Sequence, residues 1–153
     1  MTAFVKKTAA ALAVAAFGLA VQAGPLEKNA PEYQQLVAMG YEIDPPSSGD
    51  TSTIARSPSA NLIISKYESG MSFARYFTRS KKKLDDAQLL KLLTTINQIN
   101  LDMSVQVSLT DGYLACAVYH YGPYNTRSFA GGVRQIEMCA SIFDRYPELM
   151  KFL

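Results

Sequence analysis

One stretch of strict alternation, followed by a tight-turn signal and an apolar return stretch, constrains this chain more than any other feature. Met103, Val105, Val107 and Leu109 alternate with Ser104, Gln106 and Ser108. Thr110-Asp111-Gly112 follows, and then residues 113–121 (YLACAVYHY). A period of two buries one face only, so the first stretch is a half-buried strand, and residues 113–121 are its return strand. Asp-Gly accepts the positive φ of a hairpin turn, which makes the two strands antiparallel neighbours. A second hairpin precedes this one: residues 61–68 (NLIISKYE), a Ser69-Gly70 turn, and residues 71–78 (MSFARYFT).

Helical spacing fills the gaps. Asp85-Asp86-Ala87-Gln88 is a capping box. Leu89, Leu92, Leu93, Ile96 and Ile99 behind it predict one buried helix face. Near the start, Asn29 is placed to cap a helix, with Pro31 in its first turn, Glu32 as reciprocal partner and Gly40 as its end. At the other end Ser128 is expected to cap a helix that runs to Tyr146, with Val133, Ile136, Ala140 and Phe143 inward. Residues 44–58 carry Pro45, Pro46, Gly49 and Pro58 and are expected to form a flexible loop. The expectation is an α+β domain of order α-ββ-α-ββ-α, an antiparallel sheet with helices packed on one face.

The first 23 residues follow a different logic. Lys6 and Lys7 precede an uncharged apolar run at residues 8–21 (TAAALAVAAFGLAV), and Val21-Gln22-Ala23 ends it. The run is shorter than the roughly 20 apolar residues a membrane span needs. The charge–apolar–small order is that of a secretory signal peptide, in the style of a Gram-negative bacterium. Cleavage after Ala23 leaves residues 24–153 as a single domain, periplasmic or secreted, with no stable membrane anchor. The leader holds two of the 15 basic residues and none of the 13 acidic ones, so the mature chain is balanced at 13 of each. That neutrality disfavours nucleic acid, whose binding is driven by basic groups.

The candidate chemistry is sparse. His120 is the sole histidine and shares a strand face with Leu114, Cys116 and Val118, a structural position without metal-ligand company. Asp85 and Asp86 are explained by the helix start they occupy. Gly131-Gly132 lacks the Lys-Ser/Thr ending of a phosphate loop and suits close packing instead. Arg79 and Lys81, Lys82 and Lys83 form a solvated basic connection. No catalytic residue, metal or cofactor is expected. Cys116 and Cys139 are an even pair in an oxidising compartment, either a disulfide or two buried thiols. Tyr113, Tyr119 and Tyr121 share one strand face with Ala115 and Ala117. If helices cover the other face, this row is either an exposed interface or cross-strand packing within the sheet.

Ile96-Asn97-Gln98-Ile99-Asn100, the Asp111-Gly112 hairpin, the last helix from Phe129-Ala-Gly-Gly-Val133 to Phe143, and Leu36 to Tyr41 (LVAMGY) together resemble the YbjN family. The likeness spans most of residues 32–153. It implies the fold that this family shares with type III secretion chaperones, a twisted antiparallel sheet with helices on it. It also implies a role in protein interaction and supplies no catalytic residue. The expected function is a non-enzymatic, chaperone-like or regulatory binding module acting on a protein partner or as a homo-oligomer, foremost a homodimer. A small secreted enzyme or inhibitor with a site built from the loop at 44–58 is the alternative.

Overall fold

The computed structural model of the chain describes residues 23–78, 83–110 and 112–153. Residues 1–22 of the leader expected at 1–23, residues 79–82 of the basic run and Asp111 of the expected turn lie outside the described residues. The elements are α1 (Pro31–Ala38), β1 (Glu42–Ile43), β2 (Thr53–Arg56), β3 (Asn61–Tyr67), β4 (Gly70–Thr78), α2 (Asp86–Asp102), β5 (Gln106–Thr110), β6 (Tyr113–Tyr121) and α3 (Thr126–Glu137). A 3-10 turn (Met138–Ser141), the short α4 (Ile142–Arg145) and a second 3-10 turn (Pro147–Phe152) complete the chain. One six-stranded sheet, ordered β1-β2-β3-β4-β6-β5, pairs antiparallel throughout.

The fold class is the expected α+β sheet-and-helix arrangement, in the order α-ββββ-α-ββ-α. Of the two added strands, β1 immediately precedes the segment expected to be loop, and β2 lies within it. Thr53-Ile-Ala-Arg56 is too short to show a period of its own. It is held by β3, with Ile54 opposite Ile63 and Ala55 opposite Leu62. The strand is made by its partner rather than by local pattern.

Two helix starts also differ. Asn29 does not cap α1; Ala30 takes that position without a side-chain bond. Glu32 turns inward instead, 1% exposed, and accepts a 2.7 Å hydrogen bond from the Lys66 ammonium on β3. A buried carboxylate needs such a partner more than a helix end needs a cap. At α3 the cap is Asn125, whose Oδ1 accepts from the amides of Arg127 and Ser128. Ser128 therefore lies inside the first turn. The box on α2 forms as expected, between Asp85 and Gln88.

A single core joins Leu36 of α1, Leu92, Ile96 and Ile99 of α2, and Phe129, Val133 and Ile136 of α3 to Ile64, Phe73, Leu114, Cys116 and Val118 of the sheet. Leu89 and Leu93 stay exposed because α2 packs on the edge strand β5 and buries only a narrow face. Past α3 the chain tightens into the 3-10 turn, so Ala140 faces solvent and Ile142 takes the inward place. Gly132 lets α3 lie close: a methyl built there would sit 2.7 Å from Cε2 of Phe73.

The sheet edge at β5 is closed by a side chain. Asn100, at the end of α2, donates from Nδ2 to the Val107 carbonyl at 2.9 Å and accepts from the Val107 amide at 2.6 Å. Its amide stands in for a neighbouring strand and blocks the free edge. Gly24 exchanges two backbone hydrogen bonds with Lys66 of β3.

Candidate functional site

The sheet register sorts every strand residue to one face or the other. Phe73 lies opposite Ile64 and Val118, so these form the helix side. Ser72 opposite Tyr119, Ala74 opposite Ala117 and Tyr76 opposite Ala115 form the other side, which carries no helix among the described residues. Tyr113, Tyr119 and Tyr121 all fall there, as does Tyr67 of β3. Across β3, β4, β5 and β6 no position on this face is Lys, Arg, Asp or Glu. The two charged side chains of those strands within the ladder, Lys66 and Arg75, point to the helix side. There Lys66 meets Glu32, and Arg75 reaches the carbonyls of Glu137 and Ser59.

The face has a floor and a roof. Ser65, Ser72, Ala74 and Ala115 are buried although no helix covers them. Tyrosine rings close over them in two groups. Tyr119 lies 5.8 Å from Tyr67 and 4.4 Å from Tyr121, ring centre to ring centre, and its hydroxyl shares a 2.7 Å hydrogen bond with Ser69. Tyr76 meets Tyr113 edge-on at 6.1 Å. Tyr67 and Tyr76 pack across the strands, while Tyr121 stands 73% exposed. Burial, with Tyr67 nearby, pushes the Tyr76 hydroxyl up to about 12. Tyr67 and Tyr76 escaped the sequence reading because cross-strand register is a three-dimensional fact. The alternation along each strand of the first hairpin was the signal that could have found them.

The remaining candidates separate. His120 lies on the helix side near the end of β6, edge-on to Phe73 with its Nε2 enclosed beside Gly132. That is a packing position. Among the described residues no three His, Cys, Asp or Glu side chains gather as a metal set. Cys116 and Cys139 are free thiols, both buried in the one helix–sheet core. The influence of Cys139, with burial added, raises the Cys116 thiol, while Cys116 and the Arg75 charge hold Cys139 down. Tyr41, buried and donating to Glu137, is raised above the ordinary phenol range.

The loop alternative also has a place. A cleft of about 50 Å³ lies between α1 and the β1–β2 connection, lined by Leu26, Tyr33, Ile43, Pro45 and Ile54 with Asp44 and Asp50. Its carboxylates are engaged in holding the loop. Asp44 takes two hydrogen bonds from Arg56, at 2.8 and 2.7 Å, and Asp50 accepts from the Ser47 amide at 2.6 Å. No helix among the described residues is long and apolar enough to cross a membrane.

No protein-family model matches the sequence, and no curated protein matches it. Among solved structures the chain is similar to YbjN of E. coli, described as a proposed transcription regulator. The TM-score is 0.55 at 14% identity, covering 76% of this chain and 89% of that one. At that identity the likeness is one of fold. The chain has a YbjN-like α+β fold, the architecture that the sequence resemblance implied.

Proposed function

We propose that this chain is an exported, non-enzymatic binding module that acts through the helix-free tyrosine face on a protein surface. The observation that carries this reading is the composition of that face: five tyrosines and no charge across four strands. Tyrosine offers a broad apolar ring with a polar tip at low entropy cost, which is why it is enriched where proteins meet. An uncharged face gives no footing to nucleic acid or to a charged membrane surface. The occupant is a protein partner or a second copy of the chain, and the compartment is the periplasm. The engaged carboxylates of the loop cleft favour this reading over the enzyme or inhibitor. The test is capture of partners by the purified mature protein against a Tyr113→Ser/Tyr121→Ser variant. Loss of the captured protein with an unchanged unfolding midpoint supports the proposal. Equal capture by both proteins, or a hydrolytic activity abolished by one polar substitution in the cleft, overturns it.

A further inference from the structure

We propose that Cys116 and Cys139 are a covalent modification site at which a disulfide closes by exchange with an external disulfide, tying β6 to the turn after α3. Three placements converge on it. Cys116 sits in the interior of the sheet, opposite Arg75 of β4 on one side and Val107 of β5 on the other. Arg75 reaches over to the Glu137 carbonyl at 3.4 Å, two residues before Cys139, which fixes the 3-10 turn above Cys116. Gly132 removes the side chain that would hold α3 away from the sheet. A helix at ordinary height leaves its Cα atoms too far from strand Cα atoms for the roughly 5.5–6 Å that a disulfide prefers. The low-lying α3 and the turn after it shorten that gap, and both thiols lie in the one buried core, with Arg75 reaching from beside Cys116 to the start of the Cys139 turn.

The order of events follows from the elements. Cys116 is flanked by strands on both sides, whereas Cys139 lies on an outer turn that leads into α4. Lifting of residues 138–152 therefore exposes Cys139 first. Its thiolate attacks one sulfur of the external disulfide, a mixed disulfide forms, and the first thiolate leaves. When the segment settles, the Cys116 thiolate attacks the Cys139 sulfur and expels the second. The two cysteines are oxidised, the external disulfide is reduced to two thiols, and the two protons released by the cysteines go to those leaving groups. Exchange stops once the segment is docked, because both positions are fully buried.

The experiment uses the reduced mature protein, unfolded and refolded in glutathione disulfide, with thiols counted by alkylation in denaturant. The expected result is loss of both thiols, a mass lower by about two hydrogens, and a linked peptide pair containing Cys116 and Cys139. The protein stays monomeric on a non-reducing gel. The Tm rises on the order of 10 °C and falls back with reductant, as expected for a closed loop of this size in a domain of this length. Two free thiols after refolding, glutathione retained on either cysteine, or a cross-linked dimer overturns the proposal. Cys116→Ala supplies the control: its Cys139 keeps a bound glutathione under the same treatment, and an unmodified Cys139 there contradicts the proposed order of attack.

Discussion

Adjacent glycines in α3 should respond to the same substitution with opposite signs. In the middle of a helix, Gly→Ala is worth about 1 kcal/mol through backbone entropy. At Gly131 nothing lies within 4 Å of the added methyl, so Gly131→Ala should stabilise by about 0.5–1 kcal/mol. At Gly132 the methyl meets Cε2 and Cδ2 of Phe73 at 2.7 and 2.9 Å and Nε2 of His120 at 3.0 Å. The Phe73 ring is itself held edge-on by Phe129 at 5.3 Å and by His120 at 5.6 Å, so it cannot yield without disturbing both. Overpacking of this kind costs about 1–3 kcal/mol. Offset by the helix gain, Gly132→Ala should range from neutral to about 2 kcal/mol destabilised, and the two variants should differ by about 1–3 kcal/mol. Urea unfolding measures this as a shift in midpoint at constant slope. Equal effects at both positions, or greater stability for Gly132→Ala, would refute the close approach of α3 to the sheet.

Three further outcomes are expected. Asn100→Ala should cost about 1–3 kcal/mol by stranding the amide and carbonyl of Val107, and should add concentration-dependent association through the opened edge, read by sedimentation. Ile96→Ala or Ile136→Ala should each cost about 2–5 kcal/mol in denaturant unfolding, since both lie in the helix–sheet core. Tyr76, near 10 when unfolded and about 12 when folded, contributes stability that is fully present below pH 10 and is lost as pH rises toward 12. Tyr76→Phe should flatten that alkaline loss in a pH series of thermal melts.

The hairpins, the box-capped α2 and the inward stripes of α2 and α3 were legible because each rests on local periodicity or on a side chain bonding its own backbone. β2 was not, because four residues next to a proline-rich stretch carry no period and owe their conformation to β3. The cap on α3 was misplaced by three residues for a related reason. Ser128 and Asn125 are both good caps, and the choice between them follows from where β6 delivers the chain. Glu32 looked like a helix-start residue until the fold brought Lys66 of β3 over it. At the candidate site the β6 tyrosines were visible as alternation along one strand. Tyr67, Tyr76 and the small-residue floor beneath them depend on register between strands, which a single sequence does not display.

The central claim is that the tyrosine face, and not the helical side, meets a partner protein. A photo-crosslinking residue placed at Tyr121, and separately at the exposed Arg134 of α3, tests it most directly in cells expressing the full chain. Covalent protein adducts at position 121, either a second copy or another protein, with none at position 134, are the predicted result. No adduct at 121, or adducts of equal yield at both positions, would contradict the account.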